Sequence, residues 1–339
     1  MLALAATSAQ SPMPRASSAL ALIAQDMQRV DAVIADRLSS DVPLVGHISS
    51  YIIAAGGKRI RPALLLLLSG ALGYADPRKH QLAAVVEFIH TATLLHDDVV
   101  DESTLRRGRP TANESFGNAA SVLVGDFLYS RAFQMMVECG SMRVMEILAE
   151  ATNVIAEGEV LQLMNMHDAS LDQDNYLRVI RSKTAKLFEA SARLAAVLAG
   201  SNTVIEEACA TYGQALGTAF QIRDDALDYE GQASEMGKNL GDDLREGKVT
   251  LPLIVAMQRA EAKDAALIRR LIEQPDPTQL DAHLESVMRI IEGTQALATT
   301  HQLAAQESAR AKQALTLLPT SDFLPALQQL ADQSVQRKT

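Results

Sequence analysis

Tryptophan is absent from this 339-residue chain, which also contains only six Tyr and seven Phe. Because 48% of the residues are nonetheless hydrophobic, the core must be built from Leu, Ala, Ile, Val and Met. An aliphatic core of this kind is typical of helical proteins. The composition therefore favours an all-α fold.

Cysteine is almost absent, since Cys139 and Cys209 are the only two. Each lies within a helical pattern, and a single pair of thiols argues against a disulfide framework or a zinc site. Such sparse cysteine usage suits a reducing compartment. We expect both residues to lie in the core and the protein to be cytoplasmic.

Long apolar runs are missing as well. The longest, Pro62 to Leu72, is too short for a membrane span and predicts a buried helix, so no transmembrane segment is expected. The start of the chain lacks the basic region of a secretory signal, and we expect residues 1–18 to form a disordered tail. No Pro/Gly/Ser-rich linker or internal repeat is present, which predicts a single all-helical domain over 19–339.

Positive charge is in deficit: 31 Lys and Arg stand against 41 Asp and Glu, a net charge of −10. Nucleic acid is therefore not an expected partner. Three basic groups nevertheless stand out: Lys58, Arg59 and Arg61; Arg106, Arg107 and Arg109; Lys238, Arg245 and Lys248. Short charge runs are usually solvated loops. The second and third groups, however, directly follow acidic clusters. The first group follows Gly56-Gly57, whose backbone can approach an anion closely.

Apolar residues recur at spacings of three and four along nearly the whole chain. The periodic segments are 20–38, 81–95, 119–137, 144–164, 176–199, 204–229, 251–272 and 296–317. Turn signals separate them, for example at 108–113 and 231–239. The pattern predicts an all-α bundle of ten or more helices.

The run Phe88 to Asp101 reads FIHTATLLHDDVVD and ends in clustered carboxylates. On a helix, Asp97 and Asp101 lie one turn apart on one face, with Asp98 at the flank. Like charges this close repel one another near an apolar wall, so a cation should lie between them. Ligands that are all oxygen favour Mg²⁺, which also accepts substrate phosphates. Taken alone, the cluster fits a solvated surface patch equally well.

A second copy of the pattern occurs in FQIRDDALD, where Asp224, Asp225 and Asp228 have the same spacing. Two such clusters could face each other across a cavity and hold a diphosphate between bound cations. The cations would neutralise the charge that builds as a C–O bond breaks. Two unrelated acidic turns remain the alternative, but the repetition disfavours it.

These motifs together resemble the trans-polyprenyl diphosphate synthase family. GGKRIRP, HDDVVDES with RRGRPT behind it, the triplet Lys183-Thr184-Ala185, FQIRDDALD and GKNLGDDLREGKVTLP occur in the family's order. The chain is most similar to long-chain members of the octaprenyl diphosphate synthase kind, because the two-residue insertion of bacterial short-chain members is absent. The resemblance implies an isoprenoid synthase fold, a helical bundle around a central cavity, and a homodimer.

The activity implied by the resemblance is the repeated condensation of isopentenyl diphosphate with an allylic diphosphate, which releases diphosphate. Two or three Mg²⁺ ions would assist, and the all-trans product would be octaprenyl diphosphate (C40), a precursor of a quinone side chain. No protein nucleophile is required, and no Ser/His/Asp or Cys/His arrangement suggests one. Catalysis would consist of positioning and electrostatic stabilisation.

The resemblance also implies roles for individual residues. The metal ligands would be Asp97, Asp101, Asp224 and Asp228, supported by Asp98 and Asp225. The allylic diphosphate would be bound by Arg106, Lys183, Thr184, Gln221 and Lys238. Isopentenyl diphosphate would be bound by Lys58, Arg61, His90 and Arg107, with Arg59 as an additional candidate. Of these, the residues expected to act directly in catalysis are Asp97, Asp98, Asp101, Arg106, Lys183, Asp224, Asp225 and Lys238.

Two histidines precede the first cluster on the same predicted helix. His90 lies seven residues before Asp97, about 20° away on an ideal helical wheel. A core histidine is the alternative, but alignment with the Asp face favours a substrate contact. His96 lies about 100° from Asp97 and is predicted to be structural.

Product length should depend on a tunnel beside the same helix. Thr93 lies about 40° from Asp97 and Ala92 about 140°, so geometry favours Thr93, although the family most often uses the position of Ala92 as a gate. Both are small, which predicts an open tunnel at this level. Met135 and Met136 are candidates for its floor, with ordinary core packing as the alternative.

Three other functions compete. A metal phosphohydrolase could use His96-Asp97, but the second Asp cluster would then have no role, and imidazole ligands favour a transition metal. A terpene cyclase should line its cavity with aromatic residues, which are scarce here. A non-catalytic subunit should have lost charged residues from the site, and none is missing.

Overall fold

The computed structural model describes residues 19–54, 56–106, 108–230 and 240–336. The predicted tail over 1–18, the predicted turn at 231–239, Arg107 and Lys238 lie outside the described residues. Nearly all of the described chain is helical, so the prediction of an all-α fold is confirmed.

The described part of the first half contains seven α-helices and a small β-ribbon. A 3₁₀ turn, Ala19–Ile23, leads into α1 (Ala24–Arg37), α2 (Pro43–Ala54), α3 (Ile60–Ala71) and α4 (Arg78–Val100). Strands β1 (Leu105–Arg106) and β2 (Arg109–Pro110) pair antiparallel. They are followed by α5 (Ala112–Phe116), α6 (Asn118–Glu138) and α7 (Met142–Met164).

In the described part of the second half, every regular element is a helix. It begins with α8 (Gln173–Ile180), the π-helix Arg181–Ala185, α9 (Lys186–Leu198) and α10 (Thr203–Leu227). It continues with α11 (Asp242–Arg245), α12 (Leu251–Arg259), α13 (Ala262–Glu273) and α14 (Pro277–Gly293). It ends with α15 (Ala296–Ala314), a 3₁₀ turn at Leu315–Leu317 and α16 (Leu324–Gln336).

One local prediction was wrong, and one small element was not foreseen. The segment 251–272 is not one helix, because Ala260 and Glu261 adopt extended ψ angles of 158° and 154° between α12 and α13. Apolar spacing continues on both sides of this break, so periodicity could not show it. The β-ribbon was also unforeseen, since two-residue strands have no periodicity to detect. Gly108 forms its turn with a φ of 73°, which glycine adopts without strain.

The core fixes the two helices that carry the Asp clusters. Leu64 to Leu68 of α3 are wholly buried, which confirms the predicted buried helix. Helix α10 contributes Leu216 to the apolar cluster that contains α3 and α4, and Ile222 to a second cluster that contains α12. Its carboxyl end is thus held by packing on two sides.

Two further predictions concern the cysteines and membrane-spanning helices. Cys139 and Cys209 are buried and free, as expected. None of the described helices combines the length and the apolar character that crossing a bilayer demands.

Candidate active site

Both Asp clusters lie at the carboxyl ends of long helices. Asp97 and Asp98 are in the last turn of α4, and Asp101 is the residue that caps it. Asp224 and Asp225 occupy the same positions in α10, which Asp228 caps. The carboxyl end of a helix already bears negative partial charge, so added carboxylates there are unfavourable without nearby cations.

Two lysines supply cations to the first cluster. The Nζ of Lys183 is 3.7 Å from Asp97 Oδ2 and 2.5 Å from Glu159 Oε2 of α7. The Nζ of Lys248 donates to Asp101 Oδ2 at 2.7 Å and to Glu246 Oε2 at 2.6 Å. Each ammonium group is therefore shared between a clustered Asp and a Glu from another part of the chain.

Asp98 is held by the protein itself. It is fully buried, and the Arg106 guanidinium donates to its carboxylate at 2.6, 2.9 and 3.2 Å. This two-pronged contact anchors β1 to the end of α4, and removing either partner would leave an uncompensated buried charge. The arginine predicted to hold the allylic diphosphate thus has a structural partner as well.

The π-helix links the two clusters. Lys183 reaches Asp97, as described, while its neighbour Thr184 donates its hydroxyl to Gln221 Oε1 at 3.0 Å. The Gln221 amide in turn donates to Asp225 Oδ1 at 2.7 Å. Short π-helical segments occur frequently at functional sites. Adjacent residues of one turn therefore connect Asp97 with Asp225, which brings both clusters to one site.

Helix α7 packs directly against this turn. At Gly158 an added Cβ would lie only 2.7 Å from the backbone nitrogen of Lys183, so the close approach depends on glycine. The next residue, Glu159, thereby reaches the Lys183 ammonium group. Tyr129 of α6 lies nearby, and burial, with the charges of Asp97 and Glu159, raises the pKa of its hydroxyl to about 12.

The second cluster is bound by donors from three elements. Besides Gln221, the Tyr176 hydroxyl of α8 donates to Asp225 Oδ2 at 2.5 Å. Burial nevertheless raises the pKa of Asp225 to about 6, since it outweighs these two hydrogen bonds. The Asp228 carboxylate accepts the backbone N–H groups of Asp242 and Asp243 at 3.1 Å each, and so caps α11.

Negative charge remains in excess. Burial raises the pKa of Asp97, and the charge of Asp101 adds to the effect against the attraction of Lys183. Burial and the charge of Asp97 raise the pKa of Glu159 to about 7. Burial and the charge of Asp228 raise the pKa of Asp243 well above its usual range. Among the described residues, Lys183 and Lys248 do not balance these carboxylates, so a further cation would be stabilised here.

The donor set fits a hard divalent ion. Within the described part of the chain, no group of three or more Asp, Glu, His or Cys side chains is arranged to hold a metal ion without other ligands. Mg²⁺, however, usually takes only one or two carboxylates and completes its shell with water and substrate phosphates. A cation that arrives together with a diphosphate is therefore compatible with these residues.

The predicted isopentenyl diphosphate residues lie in different surroundings. Arg61 places its guanidinium 4.4 Å from the centroid of the Phe188 ring, burial lowers its pKa to about 10, and its Nε has no hydrogen-bond partner among the described residues. Arg59, in a left-handed conformation with a φ of 45°, forms an ion pair with Asp31 of α1. Lys58 is exposed and His90 is half-buried.

His96 points to α6 rather than to the site. Its Nε2 lies 3.2 Å from the Val122 carbonyl oxygen and 3.4 Å from Asp126 Oδ1, and its ring stacks on Tyr129 with centroids 6.1 Å apart. These contacts agree with the predicted structural role. A phosphohydrolase would need this histidine as a metal ligand beside Asp97, and its contacts with α6 argue against that role.

The predicted product-length residues follow α4 away from the Asp cluster. Ala92 is wholly buried, whereas Thr93 is half-buried and donates its hydroxyl to the His90 carbonyl oxygen at 2.8 Å. Met135 and Met136 are wholly buried near the end of α6. Helix α6 runs antiparallel to α4: Ser121, near its start, donates to Leu95 O, and Gln81, near the start of α4, donates to Met135 O.

Several residues of the site were not predicted. Glu159, Tyr176 and Asp243 were given no role, and Lys248 was noted only within a basic group. The sequence carries a signal for two of them, since Asp243 and Lys248 belong to GKNLGDDLREGKVTLP. Glu159 and Tyr176 occupy ordinary helical positions, and only the packing of α7 and α8 identifies them.

Known proteins resemble this chain over nearly its whole length. The polyprenyl synthetase family profile matches residues 42–291. The chain is 52% identical over 316 residues to the octaprenyl diphosphate synthase of Escherichia coli (strain K12), covering 93% of this chain and 97% of that enzyme. It is 46% identical over 319 residues to the geranyl-diphosphate-specific all-trans-nonaprenyl-diphosphate synthase of Rhodobacter capsulatus, covering 94% and 97%.

A solved structure extends the comparison to three dimensions. The polyprenyl synthase from Caulobacter crescentus CB15, complexed with calcium and isoprenyl diphosphate, matches with a TM-score of 0.90 at 47% identity. The match covers 96% of this chain and 100% of that one. The shared fold, together with a profile that spans both Asp clusters, confirms the resemblance, and the chain belongs to the polyprenyl synthetase family.

Proposed function

We propose that this protein is a trans-prenyltransferase that repeatedly adds isopentenyl diphosphate to an allylic diphosphate and makes all-trans octaprenyl diphosphate (C40). The observation that carries the proposal is the joining of the two Asp clusters through Lys183 and Thr184. Excess carboxylate charge at one point suits a substrate that arrives with its own cations. The similarity to an octaprenyl diphosphate synthase supports the product length.

The proposed metal is Mg²⁺, in two or three ions, with Asp97, Asp101, Asp224 and Asp228 as its ligands. When bound, Mg²⁺ would supply positive charge to the departing diphosphate as the C–O bond of the allylic substrate breaks. These half-buried carboxylates lie at the ends of α4 and α10, whose last turns contain buried residues that pack in the core.

Cationic side chains would also help to bind the diphosphate. Lys183 and Arg106 are proposed to bind the allylic diphosphate with Thr184 and Gln221, because the contacts of Lys183 and Arg106 with Asp97 and Asp98 keep them at the site. Lys238, which lies outside the described residues, is proposed for the same substrate. The allylic cation would then be captured by the double bond of isopentenyl diphosphate, and the released diphosphate would accept the proton.

Isopentenyl diphosphate is proposed to bind at Lys58, Arg61 and His90, with Arg107 from outside the described residues. Arg61 supports this assignment because its buried Nε–H group has no hydrogen-bond partner among the described residues. A buried donor without a partner is unfavourable, so a phosphate oxygen would be a suitable acceptor. Arg59 fits the role less well, since its guanidinium is paired with Asp31.

Product analysis tests the proposal. The purified full-length chain, given Mg²⁺, geranyl or farnesyl diphosphate and isopentenyl diphosphate, should yield a C40 alcohol after dephosphorylation, as measured by chromatography and mass spectrometry. A C45 product would correct the length and leave the reaction intact. Release of orthophosphate without chain growth would contradict the proposed activity.

We also propose where the tunnel ends. Gln81, which contacts Met135 O, lies sixteen residues before Asp97 on α4, so the methionines lie about 24 Å of helix from the reacting centre. Growing tails are driven along an apolar tunnel, since each isoprene unit buries five carbons, worth up to about 4 kcal/mol. Growth should then continue until side chains such as Met135 and Met136 block it.

Thr93→Tyr is expected to shorten the main product to about C15–C20, because a ring one turn from Asp97 would close the tunnel near its entrance. Ala92→Tyr should do the same with a larger loss of thermal stability, since Ala92 is wholly buried and an added ring overpacks the core. Met135→Ala and Met136→Ala should lengthen the product. Chromatography of dephosphorylated products provides the measurement, with Thr93→Ser as the control, and unchanged lengths in all four variants would refute this tunnel.

A homodimer is proposed from the surface of α6 and α7. Large apolar side chains are exposed there, among them Leu123 (67%), Val137 (65%), Met142 (74%) and Met164 (74%). Exposed apolar patches of this kind mark interaction sites. Sedimentation of the wild type and of Leu123→Asp/Val137→Asp should show a dimer and a monomer, respectively.

The proposed setting is the cytoplasm, where two buried free thiols would persist in reduced form. The proposed use of the product is as the side chain of a quinone.

A further inference from the structure

Asp225 is the most completely enclosed carboxylate of the second cluster. It is 5% exposed, and each of its oxygens accepts a hydrogen bond from a different element: Oδ2 from the Tyr176 hydroxyl at 2.5 Å, and Oδ1 from Gln221 at 2.7 Å. Since the protein supplies donors to both oxygens, Asp225 is turned toward α8 and the interior.

The other two carboxylates of the cluster are more accessible. Asp224 and Asp228 are half-buried, and on an ideal helix Asp224 lies about 100° from Asp225. Asp228 has its own donors, the backbone N–H groups of Asp242 and Asp243. Asp224 directly precedes Asp225 in the last turn of α10, so the direction in which Asp225 is held fixes the direction of Asp224.

Tyr176 belongs to the same continuous helical segment as Thr184, since α8 runs directly into the π-helix. Both residues reach Asp225, one directly and the other through Gln221. Packing alone would need only a phenyl ring at position 176, which is 2% exposed, and a buried hydroxyl is favourable only with a partner. The partner here is an acidic residue of the site.

We propose that Tyr176 is a positioning residue for the reaction: by binding Asp225 it orients the last turn of α10 so that Asp224 presents its carboxylate to the diphosphate and its cations. Tyr176 does not touch the substrate in this role. The inference rests on the function proposed above and adds a residue that none of the family motifs contains.

The test compares two buried tyrosines by a binding measurement that needs no turnover. Tyr176→Phe removes the hydroxyl from Asp225, whereas the control, Tyr212→Phe, removes one that donates to the Leu327 carbonyl oxygen at 2.8 Å in the core. Calorimetric titration of each full-length variant with inorganic diphosphate in the presence of Mg²⁺ should show about tenfold weaker binding for Tyr176→Phe only, because a hydrogen bond to a charged group is lost. Both variants should lose a similar few degrees of Tm.

A double-mutant cycle separates positioning from packing. If Tyr176 acts through Asp225, the Tyr176→Phe substitution should have little further effect on binding in an Asp225→Asn background. Additive effects, or equal binding by wild type and Tyr176→Phe, would overturn the inference. Absence of binding by the wild type would instead overturn the proposed function, and the inference with it.

Discussion

Asp97→Ala and Asp224→Ala should each lower the turnover number by about two to three orders of magnitude, because each removes a charged group from one side of the reacting diphosphate. The two losses should be comparable, since Lys183 and Thr184 connect Asp97 with Asp225, the neighbour of Asp224. Steady-state kinetics of the purified variants provides the measurement. Asp36→Ala, which changes an exposed carboxylate of α1, is the control and should retain full activity.

The same substitutions should not weaken the fold. Burial raises the pKa of Asp97 in the folded protein, so the folded state holds this proton to higher pH than the unfolded chain does. The contribution of Asp97 to stability is therefore largest at low pH and is lost as pH rises through the raised pKa. At neutral pH and without metal, Asp97→Ala should keep or raise the Tm. A fall in both Tm and activity would show that Asp97 supports the fold rather than the chemistry.

Chelation of divalent cations should abolish turnover, and added Mg²⁺ should restore it. The clustered carboxylates repel a diphosphate unless cations lie between them. The two lysines that the structure describes beside the first cluster are shared with glutamates: Lys183 with Glu159, and Lys248 with Glu246. The measurement is the rate of product formation after treatment with EDTA and after stepwise return of Mg²⁺.

A physical readout accompanies this second prediction. Mg²⁺ and inorganic diphosphate together should raise the Tm, because they bind only the folded state, whereas either one alone should raise it less. Full activity in excess chelator would remove the metal from the mechanism. Restoration by a transition metal but not by Mg²⁺ would point to imidazole ligands, which the position of His96 against α6 disfavours.

The sequence predicted the parts of the fold that depend on local pattern. Apolar spacing located α4 and α10, and the i, i+1, i+4 spacing of carboxylates at their ends located the two halves of the site. Arg106 follows the first cluster closely in sequence, but its contact with Asp98 depends on the β-ribbon, whose two-residue strands are too short to leave a pattern.

Contacts between distant segments could not be predicted in the same way. The hydrogen bond from Lys248 to Asp101 joins residues 147 positions apart. Glu159 reaches Lys183 only because α7 crosses the π-helix at Gly158. Charge balance alone indicated that the Asp clusters need cations, but helix packing decides which lysines lie close to them and which are neutralised by glutamates.

The π-helix at Arg181–Ala185 limits how far the two Asp clusters can move apart as the sequence changes during evolution. Lys183 and Thr184 are consecutive, so their Cα atoms are separated by about 3.8 Å of covalent structure, which no repacking of helices can lengthen. Deleting one residue from this turn would return it to α-helical pitch, so that the side chains of Lys183 and Thr184 could no longer both keep their present directions. One of the two clusters would then lose its contact. The π-helix thus sets the spacing between the two contacts. It should tolerate substitutions on its outer face far better than insertions or deletions.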